Sequence, residues 1–205
     1  MPTKGQVLTN PTTGDVFDFI ETAKDSNGER VTIKSSLKGK GVLVPDHFHV
    51  LQDESFEILS GKLTVRMDGG ERVFSAGEKV TLPKNKAHNH FNSEDEPVIY
   101  IHTTSPALDF DYFIENLVGL ASDGKMKNGK IGLVQQLVTL KYTDSKAYLA
   151  DLPVGIQNTL MNVVAPMARL VGYRLFIKST QGLRSKSKNR YHFPDCGSNQ
   201  FGERR

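Results

Sequence analysis

The chain has 205 residues, a formal net charge of +3, 38% hydrophobic and 24% charged residues. This is ordinary soluble composition, long enough for one domain with an extension and a sizeable core. So small a charge, with no nucleic-acid-binding motif beside it, excludes nucleic acid as an expected partner. No apolar run approaches the roughly 18–20 residues that cross a bilayer, so no membrane span is expected. The single cysteine, Cys196, excludes an intrachain disulfide. Together with a start that lacks the basic-then-apolar signal pattern, it points to a cytoplasmic protein.

From about residue 5 to 104 the chain reads as many short strands with turn punctuation. Val16–Thr22 alternates in part and runs into a turn at Asp25–Gly28, and Val31–Leu37 resumes the pattern. Phe56–Leu59 and Leu63–Met67 flank a Ser60-Gly61 turn, and Asp68-Gly69 is a hairpin signal. Arg72–Ser75, Lys79–Leu82, His88–Phe91 and Val98–His102 complete the run. This cadence predicts a mainly β sandwich or small barrel. The texture changes at Ser105-Pro106, where serine suits a helix cap and proline the first helical position. Phe110, Phe113, Ile114, Leu117, Val118 and Ala121 then recur at helical spacing until Ser122-Asp123-Gly124 stops them. This helix is expected to pack on the barrel's outer face. A second helix is expected over Ile131–Leu140 and a third from Pro153, with Ile156, Leu160, Val163, Val164, Met167 and Val171 on one face. Pro166 is expected to kink or end the third helix. The expected organisation is a barrel over 1–105, a helical extension over 106–181 packing on the barrel or on a dimer partner, and a mobile polar tail over 182–205.

Five of the six histidines lie between residues 47 and 102. His47 and His49 sit two apart on a strand and aim the same way. Glu54 and His88 can join them from neighbouring strands. Three imidazoles and one carboxylate suit a divalent first-row ion and leave two octahedral positions open. Fe, Mn, Ni, Co, Cu and Zn all fit this donor set. His90 and Asn92 share parity with His88: His90 could line the cavity, behind the ligands or facing substrate, or sit at the surface at a strand end, and Asn92 stands behind the ligands at most. Phe48 should face away from the site, Glu57 should be solvated, and one of Arg66 and Met67 could face the cavity. His102 is expected to be structural and His192 exposed.

Gly41, His47, His49, Glu54 and Gly61, followed by Gly77, Pro83, His88 and Asn92, resemble the paired motifs of the cupin superfamily. The pattern departs at Asn85, where that family has glycine; asparagine tolerates the positive φ such a turn needs. The resemblance implies a double-stranded β-helix, the cupin jelly-roll barrel, with the α-helical extension after it. It also implies a metal-dependent oxygenase acting on a small organic molecule, with Glu54 serving as base when substrate arrives. A non-catalytic ligand- or metal-binding module and a cupin isomerase are the alternatives. A homodimer is the expected assembly.

Overall fold

The computed structural model describes residues 1–41 and 45–175. The expected tail over 182–205, with His192 and Cys196, lies outside the described residues. Two antiparallel sheets face one another. The larger is built from β1 (Val7–Thr9), β2 (Val16–Glu21), β3 (Val31–Leu37), β10 (Val98–Ser105), β5 (Asp53–Ser60) and β8 (Lys79–Leu82), adjacent in that order. The smaller runs β13 (Ala147–Leu149), β4 (His47–His49), β9 (His88–Phe91), β6 (Lys62–Met67) and β7 (Gly70–Ser75). A separate two-stranded ribbon joins β11 (Met126–Lys127) to β12 (Lys130–Ile131). Among the described residues the fold is mainly β, two antiparallel sheets, and three helices follow the barrel strands.

Strand alternation decides what each sheet turns inward. On β5 the buried face is Glu54, Phe56 and Ile58, and on β10 it is Tyr100, His102 and Thr104. The register sets Glu54 opposite Thr104 and Phe56 opposite His102. Leu63, Val65 and Phe74 of the smaller sheet meet Phe56, Ile58, Leu82, Val98 and Tyr100 to form the core between the sheets. Full burial of each of these side chains contributes about 1.5–3 kcal/mol before entropy is counted. The hairpin expected at Asp68-Gly69 joins β6 to β7, with φ of 50° and 82° at its two central residues, the pattern of a turn that suits the strand twist.

The extension departs from expectation in four ways. First, β10 runs on to Ser105, and α1 (Phe110–Ser122) begins only after Asp109. The Asp109 carboxylate accepts N–H bonds from Asp144 and Ser145 instead of capping the helix. Second, α1 does not lie on the barrel's outer face. Phe110, Ile114 and Val118 pack on Phe19, Val31 and Ile33. Ile33 pairs with His102, whose ring meets Phe110 at 5.1 Å. The helix therefore covers the inward face of the larger sheet where the smaller sheet does not reach.

Third, α3 (Val154–Leu170) buries a face other than the one its large aliphatics define. Gln157, Met161, Ala165 and Ala168 turn inward, while Ile156, Leu160, Val163, Met167 and Val171 are exposed. Ala165 and Ala168 meet Val138 of α2 (Leu133–Tyr142), and small residues allow that close approach. Gln157 is buried because it bonds the backbone of Leu149 and Leu152. Pro166 sits inside the helix, which continues four residues past it. Fourth, residues between α2 and α3 form β13, which adds an edge strand to the smaller sheet beside β4. Among the described residues no helix is long and apolar enough to cross a membrane.

Candidate metal centre

His47, His49, Glu54 and His88 come together, one donor atom from each lying within 4.8 Å of all the others. Two sheets supply them. His47 pairs directly with His88 across β4 and β9, while Glu54 enters from β5 on the facing sheet. The imidazole centroids stand 4.8–5.7 Å apart. His49, Glu54 and His88 are buried, and His47 is the most accessible of the four.

Each of these three histidines has its Nδ1 against a main-chain carbonyl: Pro45 O at 3.0 Å for His47, Lys146 O at 3.1 Å for His49, and Lys86 O at 2.8 Å for His88. A carbonyl only accepts, so Nδ1 carries the proton and donates it. In the neutral ring Nε2 is then a lone pair, the arrangement that orients metal-binding imidazoles. Glu54 Oε2 and His88 Nε2 lie 3.1 Å apart, buried, and neither makes a hydrogen bond. Two buried acceptors facing each other repel unless a proton on His88 or a metal cation stands between them. The residues present therefore fit a metal ion.

The electrostatics agree. Burial pushes His47 down to about 4, and burial lowers His49 as well, so both rings are neutral and open to a cation. Burial alone would raise Glu54. The facing imidazoles of His49 and His102 and the hydrogen bonds from His102 and, when its ring is protonated, His88 outweigh it and hold the carboxyl well below its ordinary range. His88 is raised: burial works against its charged form, but the Glu54 carboxylate beside it outweighs that.

Around this set stand residues that the sequence placed less well. His90 does share the inward face with His88. Its ring packs on Phe56 at 4.6 Å and on His102 at 5.9 Å, and burial pushes it down to about 3. Asn92 does not stand behind the ligands. It is buried at the far end of β9, where its amide donates to Leu37 O, Lys38 O and Glu96 O and its oxygen accepts from Glu94 N. It ties turns together. Phe48 faces away from the site, stacked on Tyr148 at 5.8 Å. Glu57 pairs with Lys79 at the surface. Arg66 turns outward to Asp46 and Glu71, while Met67 lies opposite His88 on the inward face.

Two contributors escaped the sequence. His102 Nε2 lies 3.0 Å from Glu54 Oε1 and 3.2 Å from Thr104 Oγ1, with the ring only 6% exposed. The signal was present: Tyr100, His102 and Thr104 alternate on one strand face. Gln52, 1% exposed, donates to Pro106 O, Ala107 O and Ser145 Oγ, fastening the β4–β5 turn to the start of the extension. The departure at Asn85 is also explained. Its φ is 63°, the left-handed region, and its N–H bonds His49 O at 2.7 Å.

A two-sheet β fold with three imidazoles and one carboxylate gathered inside it defines a small barrel protein with a metal-type donor cluster. Residues 35–104 of the 205 match the family model described as Cupin domain. It is similar to quercetin 2,3-dioxygenase of Bacillus subtilis, 31% identical over 78 residues, which cover 38% of this chain and 23% of that protein. It is also similar to the probable oxidoreductase patJ of Aspergillus clavatus, 29% identical over 176 residues, 80% of this chain and 50% of that protein. The chain thus spans half or less of the length of these two relatives. Among solved structures, KdgF from Halomonas sp. aligns at 17% identity and a TM-score of 0.44, over 51% of this chain and 89% of that one.

Proposed function

We propose that His47, His49, Glu54 and His88 hold one divalent first-row transition ion and that the protein is a metal-dependent oxygenase of a small organic molecule. One observation carries the metal reading: three Nε2 lone pairs, fixed by Nδ1–H bonds to main-chain carbonyls, converge on a buried ionised carboxylate. Four protein donors leave two positions of an octahedral ion open, where it would supply redox and Lewis-acid chemistry to a chelating substrate. The names of the two curated relatives, a dioxygenase and an oxidoreductase, support the redox side.

The chain's own residues have three tasks in this reading. The imidazoles bind and orient. The inward aromatic tier of Phe56, His90, Tyr100 and Phe110 keeps water from the inner side of the site. Glu54 is the fourth ligand, and where a substrate hydroxyl or enol displaces it from the ion it would take that proton; held well below its ordinary range, its carboxyl is a weak base until then.

The test is elemental analysis of protein purified without oxygen, followed by oxygen uptake over a panel of phenols, enols and thiols. Bound metal at about one ion per chain with oxygen uptake on a panel member is expected. His49→Ala is expected to abolish most of the metal content. Unchanged occupancy in that variant refutes the ligand set, and metal without turnover on any panel member replaces the oxygenase with a binding module.

A further inference from the structure

Four imidazoles surround Glu54, and they are not equivalent. His47, His49 and His88 give their Nδ1 protons to carbonyls, so in the neutral ring each has Nε2 as a lone pair. His102 presents Nε2 to Glu54 Oε1 at 3.0 Å. An ionised carboxylate accepts and cannot donate, so here Nε2 must carry the proton. His102 is therefore the opposite tautomer: a donor to the carboxylate and not a lone pair for an ion. The two carboxylate oxygens are divided accordingly. Oε1 takes the His102 proton and stands 3.7 Å from His49 Nε2, while Oε2 faces His88 Nε2 at 3.1 Å with no other partner among the described residues. The donor is itself held. Its ring stacks on Phe56 at 4.5 Å and meets Phe110 of α1 edge-on at 5.1 Å, so the extension's first helix closes against it. Thr104 Oγ1, at 3.2 Å from the same nitrogen, takes the remaining share of that N–H.

We propose that His102 is a positioning residue for Glu54: its Nε2–H pins Oε1 and reserves Oε2 as the single oxygen offered to the metal. This rests on the metal reading above. A buried carboxylate with no such donor would be free to rotate, to chelate with both oxygens or to turn from the ion. Removal of a hydrogen-bond partner behind a metal ligand typically weakens metal binding about 10- to 100-fold.

Cobalt(II) titration followed by visible absorption tests it in the wild type, His102→Phe and His102→Gln. His102→Phe keeps the ring stacking and removes the donor. It is expected to bind cobalt about 10- to 100-fold more weakly and to shift the ligand-field bands. His102→Gln, whose amide N–H can reach Oε1, is expected to restore most of both. A His102→Phe protein with wild-type affinity and spectrum overturns the proposal. So does the loss of one nitrogen from the cobalt shell by X-ray absorption, because that makes His102 a ligand. A second measurement needs neither variant nor metal. In the metal-free wild type, nitrogen-15 NMR is expected to find His102 protonated at Nε2, with that proton slow to exchange, and a ring protonated only at Nδ1 overturns the proposal. Wild-type protein that takes up no cobalt while keeping this proton sinks the metal reading alone.

Discussion

The two halves of the candidate centre are held in different ways. Glu54 lies on β5, an interior strand of the larger sheet, paired with β10 on one side and β8 on the other. His47 and His49 lie on β4, a strand of three residues that shares one register pair with β9 and three with β13. One half is fixed by the barrel. The other depends on a strand from beyond the barrel, and Lys146, just before that strand, supplies the carbonyl that orients His49. The extension is thus part of the site's framework.

The largest effect that separates the halves is expected from Tyr148→Ala. Tyr148 is 8% exposed, stacks on Phe48 and donates to Asn158 Oδ1 at 3.0 Å. Its loss should cost about 3–4 kcal/mol in urea unfolding and weaken cobalt binding through β4. Ile58→Val on the barrel side should cost about 1 kcal/mol and leave cobalt affinity alone. Equal effects of both variants on metal binding would break the contrast.

Acidification should sharpen it. His47, His49 and His90 have lowered folded values, so as pH falls below the ordinary histidine value of 6.5 the unfolded chain takes protons that the fold refuses. Their stabilisation is complete above that value and is lost as pH drops toward about 4 at His47 and about 3 at His90. Glu54, also lowered, adds to the loss below its ordinary 4.5. His88, raised, acts in the opposite sense: it stabilises at low pH and loses that contribution as pH rises through its folded value. Three lowered imidazoles against one raised should make the urea midpoint of metal-free protein fall steadily between about pH 6.5 and 4. A flat profile would contradict the burial assigned to these rings.

The smallest effect concerns the turn before β9. Asn85→Val forces a β-branched residue to a φ of 63° and should cost about 1–2 kcal/mol, whereas Asn85→Gly should be close to neutral. Thermal melts of the pair would decide it, and equal midpoints would count against a conformational role for Asn85.

Much of this was legible in the sequence because it is local. Parity alone put His47 and His49 on one side of a strand and Phe48 on the other. The hairpin at Asp68-Gly69 and the tolerance of Asn85 follow from residue conformational preference. What was not legible is what depends on distant pairing. Ala147–Leu149 carries no alternation long enough to read, and its partner strand lies nearly 100 residues earlier. His102 looked like the end of a strand until the register set it beside Phe56, two pairs from Glu54 and on the same face. On α3 the sequence favoured the large aliphatics for burial, but contact with α2 selected Ala165 and Ala168, since closeness there outweighs the area a larger side chain would bury. Asn92 shares parity with His88, yet the strand ends before it, and parity says nothing about depth.

Pro45, Lys86 and Lys146 orient three imidazoles using only peptide oxygens. Those oxygens survive any exchange of side chain at the three positions. The directions of the ring lone pairs are therefore written into the path of the chain rather than into the identity of its neighbours. These supports can drift in sequence while remaining in service, and only an insertion or deletion that re-routes the main chain takes them away.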